Sequence, residues 1–266
     1  MSTFTDEGFL STSMDEWSKE CFSRYSQWFV LCKEFNQYCL QLSQKLKVHE
    51  NNRQEYIVLA LFIRLLSFFE GSVILAERCM VNETKILLRG LMEALFALRA
   101  IANDKTVAEE YYHSHFLEKL KNLRLIKRSG SHRFYHGLDL DKRIVELEEI
   151  VKQKGIKRFT VESLAQKAEL YEFYATAYLV FSWTVHSNVI DIAQYINGKS
   201  DDYIEGIFWQ PQLEGIDKLL LTAMECAVIG LRSVNELFGL GATEEIEEYS
   251  QKYQTLAKKT VTEQSN

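Results

Sequence analysis

Proline is nearly absent from this chain. Pro211 stands alone among 266 residues, and there are only 12 glycines. Proline fixes φ and removes an amide donor, and glycine punctuates turns, so the scarcity of both predicts long, uninterrupted helices. No Pro-, Gly- or Ser-rich linker divides the chain, no repeat of fixed period is visible, and no period-two strand pattern stands out. There is no Gly-rich phosphate loop, no His-Glu-x-x-His pair and no Gly-x-Ser-x-Gly turn, which argues against an ATPase, a zinc protease and an α/β-hydrolase. The five cysteines, Cys21, Cys32, Cys39, Cys79 and Cys226, are odd in number and lack paired spacing. They read as small buried hydrophobes in a reducing compartment, not as a disulfide framework or a zinc site. The opening MSTFTDEGFLSTSMDEW carries acids and no apolar core, unlike a secretory signal. The longest apolar run, 56–76, is interrupted by Arg64 and Glu70, so it is expected to be a buried helix and not a membrane span. A cytoplasmic protein without membrane contact is the expectation.

What is present suits one large helical domain. Hydrophobic residues make up 47% and aromatics 12%, enough to bury a sizeable core. Capping-box spacings occur at Ser13–Glu16 and Thr106–Glu109, Asp139 and Thr160 are N-cap candidates, and Gly130, Gly155 and Gly239 are stop signals. Apolar residues recur at helical steps from Trp17 to Leu42, predicting one long first helix. Further helices are expected at about 53–81, 83–103 and 106–128, in a charged segment ending at Gly155, and in a stretch ending near Gly198. The stretch 200–210 reads as irregular. Pro211 is placed in the first turn of the following helix, and Thr243 at the cap of the last. The expected fold is a single all-α bundle of eight or nine helices, with a core at about 12–258, a frayed tail from about Thr260, and a protruding charged hairpin over 119–158.

Two constellations carry chemistry. In the apolar stretch 174–196, Tyr174, Tyr178, Ser182 and His186 recur every four residues. Each such step overshoots a full helical turn by about 40°, so the four polar groups share one slowly drifting face. Buried polar groups need partners, at a cost of about 1–3 kcal/mol for each one left unmet. The expected partner is the helix KILLRGLMEALFALRAI (85–101), where Arg89 and Glu93 sit four apart on the face with only alanines beside them. Arg64 and Glu70 are candidates to join them. One reading is a site: His186 as general acid–base, Arg89 as phosphate binder, Glu93 orienting one of them, and Tyr178 or Ser182 positioning the phosphate. Another is a buried polar network that fixes helix register in a non-enzymatic protein-interaction module, and a third is a pocket for a small anion or nucleotide at Arg89.

The second constellation is electrostatic. Residues 119–158 hold twelve Lys or Arg against five acids, a charge of +7 in a chain whose net charge is −6. Such asymmetry points to an anionic partner, either nucleic acid or an acidic protein face. Lys127 and Arg128, with His132, Arg133 and His136 in the connecting loop, are the candidate nucleic-acid contacts, and Phe134 and Tyr135 would let bases stack. No metal site and no cofactor are expected. His113 and His115 are two apart on a helix, about 200° from each other, and cannot clasp one ion. A protein partner or a homodimer is the alternative role for the long apolar-faced first helix.

The residues LLRGLMEALFALRAI and YATAYLVFSWTVHSN resemble a bacterial all-α family of unknown function that pairs an Arg-x-x-x-Glu helix with a later helix bearing Tyr or Ser and then His-Ser. The likeness covers roughly 55–200 and implies that Arg89, Glu93 and His186 are the marked positions. The chain also resembles the HEPN helical bundles, which include metal-independent RNases of toxin–antitoxin and phage-defence systems. That likeness implies an antiviral, abortive-infection type of effector acting on RNA. The usual HEPN signature places four to six residues between Arg and His; here Arg128 and His132 have three between them, and Arg133 and His136 two. A HEPN-like reaction would therefore need Arg89 and His186 to meet from different helices.

Overall fold

A computed structural model describes residues 3–130, 139–186, 188–199 and 204–264. The fold is all-α, and three helices form its centre. These are α4 (Arg53–Glu77), α5 (Val81–Asn103) and α12 (Ile216–Phe238), which pack against one another along most of their length. Their facing residues are large and apolar: Phe62, Leu65 and Phe69 from α4, Leu88, Leu91, Leu95 and Phe96 from α5, Leu220, Met224 and Leu231 from α12, all buried. Glycines set how closely these helices approach. A Cβ on Gly230 would lie 2.8 Å from Leu65 Cδ1, and one on Gly90 would lie 2.8 Å from the Phe68 ring.

Helices α2 (Met14–Arg24), α3 (Ser26–Ser43) and α13 (Thr243–Gln264) cover one flank of this trio. On another flank α6 (Lys105–Ser129) leaves the core and pairs with α7 (Leu140–Gln153). Leu120, Ile144 and Leu147 form a small apolar cluster of their own there, supported by Phe116, Leu123, Ile150 and Val151, separate from the main core. The expected charged hairpin is thus an arm with its own modest core. A 600 Å³ cleft lies at the foot of the arm, next to α8 (Val161–Lys167).

Several sequence expectations hold in detail. Asp139 accepts from Lys142 N, Thr160 forms a reciprocal capping box with Ser163, and Gly130, Gly155 and Gly239 are left-handed terminators. All five cysteines are buried free thiols. Others fail for physical reasons. The first helix is two helices broken at Tyr25, whose hydroxyl donates to the Leu213 carbonyl at 2.7 Å. Ser13 does not cap through its side chain; its hydroxyl pairs with Ser11. Asp104, not Thr106, caps α6, accepting from Thr106 N at 2.8 Å. Asn82, expected to cap between the second and third helices, lies inside α5 and donates to the Tyr195 hydroxyl at 2.7 Å. Pro211 precedes α12, which starts only after Gly215, at φ 80°.

The stretch from Thr160 to Gly198, read as a segment leading into one stripe helix, is broken repeatedly. It contains α8, α9 (Tyr171–Phe173), a π-helical turn (Tyr174–Tyr178), α10 (Leu179–Val185) and α11 (Val189–Ile192). The short pieces raise the number of helical segments above the eight or nine expected. Beyond them, β1 (Ile196–Lys199) and β2 (Ile204–Ile207) make an antiparallel ribbon with Ile196 opposite Ile207, in part of the stretch read as irregular. The N-terminal helix α1 (Phe4–Glu7) is latched by Phe4 and Phe9 to Trp209.

Candidate functional site

The polar stripe meets α5 as its spacing predicts, over part of its length. Arg89 and Glu93 stand on successive turns of α5 and pair at 3.0 Å. Arg89 Nε donates to Ser182 Oγ at 3.0 Å, and its Nη2 donates to the Tyr178 hydroxyl at 3.0 Å. That hydroxyl donates onward to Glu93 Oε1 at 2.9 Å. Arg89, Tyr178 and Glu93 thus close a ring, and Ser182 accepts from Arg89 beside it. The Arg89 guanidinium also lies 5.2 Å from the Tyr178 ring centroid, within cation–π range.

The π-helical turn shapes this place. Such bulges widen a helix locally and occur often at functional positions. Here the turn ends at Tyr178. The Tyr174 and Tyr178 rings stack at 5.3 Å with 20° between planes, and Tyr171 follows Tyr174 at 5.8 Å. Tyr178 is 5% exposed and Tyr171 is 47% exposed, so the ladder climbs from the core to the surface. Burial pushes the Tyr178 phenol above its ordinary pKa, reinforced by its bond to Glu93 and the negative charge there, while Arg89 and Ser182 pull the other way. Tyr111 of α6 is raised by burial as well; Glu93 adds to the rise and Arg64 opposes it.

The ring is not sealed. The side chain of Arg89 is 20% exposed and that of Glu93 is 38% exposed. The centre expected to be buried is a half-buried shelf. His186 stands apart from it. The helix α10 ends at Val185, and His186 takes a φ of −92° and ψ of 11° as its C-cap. Its imidazole is exposed, and no hydrogen bond among the described residues joins it to Arg89, Glu93, Tyr178 or Ser182. Asn188 causes the break, since it caps α11 by accepting from Ile190 N at 3.0 Å. Arg64 and Glu70 also stay outside: Arg64 lies over the Phe68 ring and Glu70 accepts from Asn36.

On the arm, Lys127 pairs with Asp141, Arg124 with Glu148 at 2.6 Å and Arg143 with Glu146 at 2.7 Å. Arg128, Lys119, Lys121, Lys142 and Lys152 are exposed without a salt bridge among the described residues. Lys121, Arg124 and Arg128 fall at i, i+3 and i+7 on α6, a single stripe. His132, Arg133 and His136 lie outside the described residues.

The cleft at the foot of the arm was not legible as a site. Its lining combines His113 of α6 with Lys154, Lys157 and Arg158 of the linker after α7, and with Lys167 of α8. Charge counting reaches 154–158, but His113 and Lys167 join them only through the fold.

Fold and shelf define a class: an all-α bundle whose central helix offers an Arg-x-x-x-Glu pair to a Tyr-x-x-x-Ser helix. Residues 55–204 match the model of a family of unknown function, DUF5677, and the chain belongs to that family. No curated protein and no solved structure matches it.

Proposed function

We propose that this protein binds RNA through the α6–α7 arm, with the Arg89–Glu93–Tyr178–Ser182 shelf as a second, half-buried contact. One observation carries the reading: in an acidic protein, unpaired cations collect on an exposed arm that stands off the main core. An anionic polymer gains from such an arm by releasing condensed counterions. The outer rungs of the ladder, exposed Tyr171 and half-buried Tyr174, offer the aromatic surface that single-stranded nucleic acid stacks on, and the part-exposed Arg89 lies further in. The effector role implied by the HEPN likeness would make the bound RNA a target. An acid–base step by His186 and Arg89 together finds no support in the placement of His186, so binding is the activity proposed.

The test is fluorescence anisotropy with a labelled single-stranded RNA at low salt. The double variant Lys121→Gln/Arg128→Gln should bind about tenfold more weakly at an unchanged melting temperature, in line with the loss of two phosphate contacts. Equal binding by both proteins would refute the assignment to the arm.

A second reading, self-association, rests on a different face. Val180, Trp183, Val189, Ile190, Ile207 and Trp209 are exposed apolar side chains on α10, α11 and the ribbon beyond them. Exposed apolar groups in such number mark interaction surfaces. Sedimentation equilibrium of wild type and Trp183→Asp/Ile190→Asp distinguishes this: a dimer that becomes a monomer in the variant supports it, and a monomeric wild type removes it.

A further inference from the structure

We infer that the cleft between α6, the linker after α7 and α8 binds a small phosphorylated ligand that also carries hydroxyl or amino donors, a nucleotide or a sugar phosphate. The cleft holds about 600 Å³, within the range of sites for small organic ligands. Four cations line it: Lys154, Lys157, Arg158 and Lys167. They come from the end of α7, its linker and the end of α8, and the fold brings His113 of α6 against them.

The partners already present leave most of that charge unspent. Arg158 meets Glu118 at 3.8 Å across an exposed pair, a geometry worth little in water. Lys154 Nζ lies 3.4 Å from His113 Nε2, which brings the ammonium and the imidazole together at one end of the cleft. Lys157 and Lys167 form no salt bridge among the described residues; Asp104 is held below its usual pKa mainly by its hydrogen bonds from Thr106, and Lys167 adds a smaller part. Convergent ammonium groups and a guanidinium are what a phosphate or pyrophosphate needs.

The α6 wall narrows the class. Beside His113 it presents Glu109 and Glu110. Glu109 already pairs with Arg53, and Glu110 is exposed. A bare phosphate gains nothing from these carboxylates and is repelled by them. A ligand with phosphate at one end and ribose hydroxyls or an exocyclic amine at the other satisfies both walls at once. Phe159, braced by Tyr111 at 6.0 Å, supplies an apolar surface between them. This site is separate from the basic stripe proposed to hold RNA.

Isothermal titration of the full chain with ADP, ribose 5-phosphate and inorganic phosphate tests the assignment. ADP or ribose 5-phosphate should bind saturably and raise the melting temperature with concentration. Inorganic phosphate should bind at least about tenfold more weakly, because it leaves the acidic wall unmet. Lys157→Gln/Lys167→Gln should weaken the organic phosphates by about tenfold or more while the unliganded melting temperature stays put, since both side chains are exposed. Lys121→Gln/Arg128→Gln should leave ADP affinity within about twofold, which keeps this result independent of RNA binding. Absence of binding by ADP and ribose 5-phosphate alike would overturn the proposal. So would binding that the Lys157/Lys167 substitutions do not change, or inorganic phosphate binding as tightly as ADP.

Discussion

Tyr178 is the residue on which the shelf turns. Its hydroxyl accepts from Arg89 and donates to Glu93, so it stands between opposite charges on one helix. Tyr178→Phe keeps the ring and its contact with Phe96 but leaves two partners short. Urea unfolding should show a loss of about 1–2 kcal/mol. His186→Ala should change stability by less than about 0.5 kcal/mol, because an exposed C-cap imidazole with no described partner has little to lose. A large loss there would mean that the histidine is built into the shelf after all. The alkaline limb tests the same chemistry. Burial raises the phenols of Tyr25, Tyr38, Tyr111, Tyr178, Tyr249 and Tyr253 above their ordinary value of 10.0. Above that pH the unfolded chain releases protons that the folded one retains. Their contribution is therefore complete below pH 10.0 and is lost as pH rises through the folded values. The urea midpoint should fall from about pH 10 upward, and a profile that stays flat to about pH 11 would contradict the assigned shifts. The four-residue spacing made the Arg89, Glu93, Tyr178 and Ser182 contacts legible in sequence. It misplaced His186, because Asn188 offers a cap that ends the helix and periodicity alone gives no weight to a cap inside an apolar run.

The elements tell a similar story about which signals win. Terminators that act through their own backbone were readable: Gly130, Gly155 and Gly239 stop helices where expected, and Asp139 and Thr160 start them. Breaks imposed by distant partners were not. Tyr25 interrupts a continuous apolar stripe for a carbonyl at Leu213, and nothing near Tyr25 in sequence announces it. The π-helical turn at Tyr174–Tyr178 has no breaker residue either. Close helix approach is the other hidden feature. Gly230 would read as a weakness in α12, and Ala has the higher helix propensity by about 1 kcal/mol. Yet its added Cβ would press on Leu65, which is fully buried between α4, α5 and α12. Gly230→Ala should therefore lower stability, by about 1–3 kcal/mol from overpacking less the propensity gain. Thermal unfolding of that variant decides the matter; a stabilised protein would show that the three helices can separate at little cost.

At the scale of the whole molecule, composition was informative about class and blind to arrangement. Few breakers and a 47% hydrophobic content pointed to an all-α bundle, and that is the fold. The apolar run read as a buried helix is α4, the one described helix long and apolar enough to cross a membrane; it is buried on one side only, with Phe62, Leu65 and Phe69 inward and Tyr56, Ile63 and Ile74 exposed. The charge asymmetry marked 119–158 as unusual, and the fold makes that segment an arm with its own small core. The sequence could not show that the foot of this arm closes against α8 to form a cleft, because Glu109, Glu110 and His113 of α6 lie more than forty positions before the linker and α8 residues they meet.

The central claim is that the arm holds RNA by its phosphates, and the salt dependence of binding tests it most directly. The logarithm of the association constant for a single-stranded RNA should fall linearly with the logarithm of salt concentration, with a slope of about −0.7 for each phosphate held. Lys121→Gln/Arg128→Gln should reduce the steepness by about 1.4, the share of two contacts. Absence of binding at low salt, or an affinity that salt does not change, would contradict the account.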